Sequence, residues 1–335
     1  MKKYVNLFVF VFMIGACLSQ GRAQTKSAVS YKNPVVDIAM PDPTVIKAAD
    51  GYFYVYATES TRNVPIMKSK DLVEWTYCNT AFTNKTRPRF EPKAGIWAPD
   101  INYINGKYVL YYAMSVWGGE QTCGIGVATA NSPQGPFTDH GKMFRSNEIG
   151  VQNSIDPSLL QYEGRNYLVW GSFRGIYVIE LTADGLSIMP GAKKKRIAGT
   201  AFEAVYIHKH DDYYYMFASI GSCCQGVKST YKVVVGRSKK VWGPYKDKTG
   251  KPMLKNGYSL VIGANDHFVG NGHGSQIIRD DAGQDWLLYH GFSRSIPENG
   301  RILLLDQIKW NQEGWPYVEG GSPSYETQKA PVFNN

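Results

Sequence analysis

The chain reads as an all-β, five-bladed β-propeller. Three observations carry that reading: one tyrosine-rich phrase written five times, a blade-length interval between the copies, and no sustained helical periodicity. The copies are Asp50-Gly51-Tyr52-Phe53-Tyr54-Val55-Tyr56, Asn105-Gly106-Lys107-Tyr108-Val109-Leu110-Tyr111-Tyr112, Glu163-Gly164-Arg165-Asn166-Tyr167-Leu168-Val169-Trp170, Asp211-Asp212-Tyr213-Tyr214-Tyr215-Met216-Phe217 and Ala282-Gly283-Gln284-Asp285-Trp286-Leu287-Leu288-Tyr289-His290. Measured between Gly51, Gly106, Gly164, Asp212 and Gly283, the intervals are 55, 58, 48 and 71 residues. Each copy is a turn leading into an aromatic, β-branched strand, and a short extended segment precedes each turn, so every unit opens with a hairpin.

Later parts of the units repeat as well. Ser132-Pro133-Gln134-Gly135-Pro136-Phe137 and Val241-Trp242-Gly243-Pro244-Tyr245 are similar turns at matching places in the second and fourth units, each after a strand, Ile125-Gly126-Val127-Ala128 or Val233-Val234-Val235-Gly236. No linker divides the chain, and residues 30–330 are expected to form one propeller domain. Closed all-β architectures of that length remain single domains.

Ahead of the domain, Lys2 and Lys3 precede an apolar run from Val5 to Ala16 that is short for a bilayer span, so residues 1–23 read as an export signal. Two processing routes stay open: Ile14-Gly15-Ala16-Cys17 suits lipidation of Cys17, and Gly21-Arg22-Ala23 suits cleavage before Gln24. The expected destination is the periplasm, the cell surface as a lipoprotein, or the medium, with no membrane-spanning segment. Of the remaining cysteines, Cys78, Cys123, Cys223 and Cys224, the adjacent pair allows a vicinal disulfide or a longer bridge, and no paired zinc spacing is present.

The net charge of +9 is scattered apart from Lys193-Lys194-Lys195-Arg196, read as a solvated loop between blades. No nucleic-acid partner is expected, and attraction to a polyanionic pectin would be weak and salt-sensitive. A monomer is expected.

Ahead of the five turns stand Asp42, Asp100, Asp156, Glu203 and His273, at offsets of 9, 6, 8, 9 and 10 residues. If the first strand of each blade follows the central axis, these side chains converge there. Asp42 and Asp156 each precede a proline and then a hydroxyl residue, in Pro41-Asp42-Pro43-Thr44 and Ile155-Asp156-Pro157-Ser158, and the proline is expected to keep the acidic residue extended. Three carboxyls around one depression suit glycoside hydrolysis: one takes a proton from water, one protonates the leaving oxygen, and the third tunes the acid. Glu203, between Phe202 and Ala204-Val205, has the most apolar neighbours and is assigned the acid.

These motifs, with Trp97-Ala98-Pro99-Asp100, Gly221-Ser222-Cys223-Cys224-Gln225-Gly226, Ser229-Thr230-Tyr231 and Gly270-Asn271-Gly272-His273-Gly274, resemble glycoside hydrolase family 43, within it the endo-α-1,5-L-arabinanases. The resemblance implies a five-bladed propeller and an inverting mechanism with Asp42 as general base, Glu203 as general acid and Asp156 as the residue that tunes and positions the acid. It also implies a largely water-coordinated Ca2+ near the axis, associated with His273. Arabinan or arabino-oligosaccharides are the implied substrate, with Trp97 and Trp117 as stacking platforms and Asp100, Asn153 and Ser172 as polar contacts. Endo action is expected, and Pro244 to Gly263 is the segment expected to obstruct a groove if action is exo. Exo-arabinanase, β-xylosidase/α-L-arabinofuranosidase and a non-catalytic glycan-binding propeller are the alternatives.

Overall fold

The recurring phrase folds as its turn residues dictate. Asn105 and Gly106, and Glu163 and Gly164, take positive φ (48° and 80°, 49° and 72°), which closes two-residue hairpins whose twist matches the flanking strands. The aromatic run after each turn becomes the second strand of a sheet. The computed structural model describes Met1 and residues 29–334; the remainder of the expected export signal, with Cys17, lies outside the described residues.

Five antiparallel sheets follow in order. The first contains Thr44–Lys47, Phe53–Tyr56, Pro65–Ser69 and Thr76–Thr80, and the second Gly95–Ile104, Lys107–Ser115, Gly124–Ala130 and Thr138–Arg145. The third contains Ser158–Tyr162, Arg165–Trp170, Ile176–Glu180 and Lys195–Ala198, and the fourth Glu203–His210, Tyr213–Ile220, Lys232–Ser238 and Ser259–Ile262. The fifth is built from both ends of the domain: Phe268–Gly272, Asp285–Ser293 and Ile302–Trp310 are completed by Val36–Ala39, with Val36 opposite Leu303 and Ala39 opposite Ile302. A short clasp of Ser30–Tyr31 on Gln328–Lys329 sits outside it. Among the described residues the only α-helical segment is the single turn Ser146–Ile149.

The core is divided among the junctions between blades. Tyr54, Tyr56 and Ile66 pack on Ile101, Leu110 and Tyr112 between the first and second blades, and similar apolar clusters fill the other four junctions. Around the axis, polar groups join the same neighbours. Thr44 Oγ1 lies 3.3 Å from Asp100 Oδ1 and 3.3 Å from Gln276 Oε1, linking the first blade to the second and fifth. Leu159 N–H donates to Asp100 Oδ2 (2.7 Å), Ser158 Oγ to Val205 O (2.6 Å), and His273 N–H to Ser219 Oγ (2.8 Å). The ring is thereby closed by hydrogen bonds as well as by packing.

Two expectations change here. Lys193-Lys194-Lys195-Arg196 is not wholly a loop, because Lys195 and Arg196 begin the outermost strand of the third blade, where basic side chains suit an open sheet edge. The segment from Pro244 to Gly263 is no obstruction, because it supplies the outer strand of the fourth blade and buries Met253 beneath it.

Asp100→Ala would leave the Leu159 amide, the Asn102 amide and the Thr44 hydroxyl without their shared acceptor. We expect it to lower the unfolding free energy by about 3–5 kcal/mol in a urea titration, and a loss below about 1 kcal/mol would contradict its role as the staple of three blades.

Candidate active site

The innermost strands begin on a common rung. Asp42, Asp156, Ala204 and His273 occupy equivalent positions, each two residues before Thr44, Ser158, Tyr206 and Ser275, and all four have left-handed backbone, with φ of 53°, 55°, 52° and 49°. The extended conformation expected for the two Asp-Pro pairs is therefore incorrect. The chain bends sharply before entering the strand, a conformation costing on the order of 1–3 kcal/mol per non-glycine residue; the bent residues Asp42, Asp156 and His273 themselves line the cleft, whereas in the fourth blade the cleft residue is Glu203, one position ahead of the bend at Ala204.

Asp42, Asp156 and Glu203 all line one cleft of about 570 Å³, and His273 and Arg301 line it with them. Asp100 does not. It stands two residues further along its strand than the common rung, beyond the register shift between Trp97 and Asp100, and so sits deeper, in an axial cavity of about 20 Å³. Its offset of 6 from the hairpin turn, against 8 to 10 for the others, was the sign of that depth.

The three buried carboxyls have different surroundings. Burial alone would raise Asp42, but the Arg301 guanidinium, 2.7 Å from Oδ1, and the His273 imidazole at 3.2 Å hold it well below the usual carboxylate range. The Asp42 amide donates to His290 Nδ1 (3.0 Å), which also lies 3.2 Å from Asp42 Oδ1. Burial pushes His290 down to about 4, so the ring is neutral. Asp156 has no such counter-cation on its carboxylate: burial raises it to about 7, against the pull of His273 and helped by the charges of Glu203 and Asp42. It accepts one hydrogen bond, from Ala204 N–H (3.2 Å). Glu203 is also raised, first by burial, and the Ser172 hydroxyl that donates to its Oε2 (2.6 Å) restrains the rise. Asp156 and Glu203 titrate as a pair, since each charge disfavours the other. Glu203 borders only the cleft, whereas Asp156 stands between the cleft and the axial cavity.

The remaining expected residues divide by placement. Trp97 and Trp117 lie parallel in the cleft, with centroids 6.2 Å apart and planes 10° apart. Trp97 is fixed by a bond from Nε1 to Ser115 O, and Trp117 is 79% exposed. Asn153 Nδ2 donates to Ser172 Oγ (3.0 Å), and Ser172 turns its own proton to Glu203, so this pair forms a relay that holds the Glu203 carboxyl. Cys223 and Cys224 form a vicinal disulfide on the cleft wall, while Cys78 and Cys123 are free.

Three site residues escaped the sequence reading. Arg301 precedes an apolar strand 259 positions from Asp42, and no local pattern connects them. His290 carried a signal, since the fifth hairpin phrase ends in a histidine where the others end in aromatics. Tyr231, buried, borders Glu203 in the cleft and, with Ser172, restrains the rise of that carboxyl. A methyl group at Gly272 would fall 2.2 Å from its ring, which gives the Gly-Asn-Gly-His motif a steric reason.

Residues 31–316 match the family described as glycosyl hydrolases family 43. The chain is 37% identical over 290 residues to extracellular endo-alpha-(1->5)-L-arabinanase 1 of Bacillus subtilis, covering 82% of this chain and 86% of that one. It is 36% identical over 307 residues to extracellular exo-alpha-(1->5)-L-arabinofuranosidase ArbA of Cellvibrio japonicus, covering 83% and 86%. The structure of Cellvibrio cellulosa alpha-L-arabinanase complexed with arabinohexaose superposes with a TM-score of 0.77 at 33% identity, over 86% of this chain and 98% of that chain.

The pairing of Asp156 with Glu203 is open to carboxyl 13C NMR. Asp156→Asn removes a negative charge facing Glu203, so the Glu203 midpoint should move to lower pH. A midpoint that stays in place would contradict the coupling.

Proposed function

Because the chain belongs to glycosyl hydrolase family 43, we propose that it hydrolyses α-1,5-L-arabinan with inversion and with endo action. The observation that carries this is the division of carboxyl environments within one cleft: Asp42, held well below the usual carboxylate range by Arg301, shares it with Asp156 and Glu203, both raised by burial. Asp42 is the base that takes a proton from water as its oxygen attacks the anomeric carbon. Glu203 delivers its proton to the departing glycosidic oxygen, so the charge left on the sugar oxygen is neutralised as the bond breaks. Asp156 repels charge on Glu203 and thereby keeps the acid protonated. Ser172, itself held by Asn153, fixes the carboxyl and prevents its midpoint from climbing too far. The parallel indoles of Trp97 and Trp117 offer apolar faces to furanose rings along the cleft.

A calcium ion suits the axial cavity. Asp100 and Asp156, both raised by burial, border it with Thr44, Ser275 and Gln276, an oxygen-rich wall fitted to a hard, water-carrying cation, and His273 stands on its rim. Bound there, the ion would supply positive charge beneath Asp156 and His273. Export is the reading supported by residues 1–23 and by the extracellular names of the relatives. No helix among the described residues is long and apolar enough to cross a membrane.

The test is the time course on linear arabinan. A ladder of oligosaccharides from the first time points, with the inverted anomer seen by 1H NMR, is the expected result. One small product throughout would favour exo action, the activity named for the Cellvibrio relative at nearly equal identity. No release by the wild type would favour a glycan-binding propeller. Glu203→Gln and Asp42→Asn should each lower kcat by about 10²- to 10⁴-fold, and equal turnover by wild type and Glu203→Gln would overturn the acid assignment. Ser172→Ala removes a hydrogen bond that favours ionised Glu203, so the alkaline limb of kcat/KM should move to higher pH; a limb moving the other way would contradict the relay.

A further inference from the structure

We propose that His208, His210 and Asp285 form a binding site for a divalent transition metal of the zinc class at the junction of the fourth and fifth blades. Each side chain offers one ligand atom, and the three atoms lie within 4.8 Å of one another. The strand Glu203–His210 makes this arrangement natural, because residues two apart project from the same face and so aim both imidazoles at the neighbouring blade. Asp285 opens the second strand of that blade and is buried.

The hydrogen bonding at Asp285 is incomplete in the way a ligand would complete it. Its Oδ2 accepts from Trp310 Nε1 at 2.7 Å and lies 3.6 Å from His210 Nδ1. Its Oδ1 has no hydrogen-bond partner among the described residues although it is buried. The nearest cation to Oδ1 is Arg279, whose Nε is 3.9 Å away and whose side chain is 62% exposed, so it can swing aside. A buried carboxylate oxygen left unbonded is costly, and a metal ion removes the deficit. Trp310 supports the site from behind: its indole donates to Asp285 and stacks flat on His210, with centroids 3.7 Å apart and planes 7° apart.

The donor set selects the ion. Two imidazoles and one carboxylate suit zinc, copper or nickel, with a further position left for water. They suit calcium poorly, which distinguishes this site from the axial cavity. His208 lies five residues from Glu203 and His210 seven, along a strand that rises about 3.3 Å per residue, so the metal is remote from the cleft. Its effect is to tie the two blades together, and because it binds only the folded chain it raises thermal stability.

The experiment uses the tag-free protein, stripped with chelator and returned to excess Ca2+, then titrated with Co2+ as a spectroscopic stand-in for Zn2+. One saturable equivalent with visible ligand-field absorption, displaced by Zn2+, is expected, together with a rise in Tm of about 2–4 °C. His208→Gln and His210→Gln should each abolish that absorption while arabinan cleavage stays at the wild-type rate. No saturable Co2+ binding by the wild type, or undiminished binding by both variants, overturns the proposal. Should either histidine variant fail to fold, Arg279→Gln decides: removing the competing exposed cation should tighten Co2+ binding about two- to fivefold, and an unchanged affinity overturns it.

Discussion

The constraint on which the rest of this structure depends is the burial of three carboxyl groups around one cleft. Taking a carboxylate out of water is unfavourable unless a cation, a set of donors or a proton compensates. Asp42 is compensated by Arg301 and His273 and stays ionised. Asp156 and Glu203 have no guanidinium on their carboxylates, only hydrogen bonds such as those from Ala204 and Ser172, and burial raises both. Asp42 is thus set apart from Asp156 and Glu203 by environment, although all three groups share one desolvated setting. The difference comes from what the fifth blade contributes, since Arg301, His273 and His290 all belong to it.

Such a site needs a rigid frame, and the ring of blades supplies one. The left-handed bends at Asp42, Asp156, Ala204 and His273 are unfavourable locally and persist because the following strands are pinned on both sides. The pins are the apolar clusters at the five junctions and the axial bonds through Thr44, Asp100, Ser158 and Ser219. Completion of the fifth sheet by Val36–Ala39 brings the segment just before Asp42 against the strand that follows Arg301. Closure of the ring and the meeting of Asp42 with Arg301 are therefore one structural event.

Much of this was legible in the sequence because propeller blades are local. Each hairpin is written within about 20 residues, and two-residue turns at Asn105-Gly106 and Glu163-Gly164 announce themselves by their chemistry. Asp42 and Asp156 reach the cleft from one shared register, whereas Glu203 stands one residue ahead of it, before the register shift that precedes Tyr206. What sequence could not supply was long-range: Arg301 meets Asp42 across 259 positions, and the closing strand joins residues from opposite ends of the domain. Backbone conformation was misread at both Asp-Pro pairs, because the proline restricts its predecessor without specifying the bend that the ring imposes. Depth was misread at Asp100, where equal chemistry at a shifted rung yields a staple in the axial cavity instead of a cleft residue.

The central claim, that Arg301 keeps Asp42 ionised while burial raises its two partner carboxyls, is tested most directly by the pH dependence of kcat/KM in Arg301→Gln. Without the guanidinium, burial acts on Asp42 unopposed by its main counter-cation, so its pKa rises. The acid limb should move to higher pH by about one unit or more, with the alkaline limb in place. An acid limb that keeps its wild-type position in a folded variant would contradict the account.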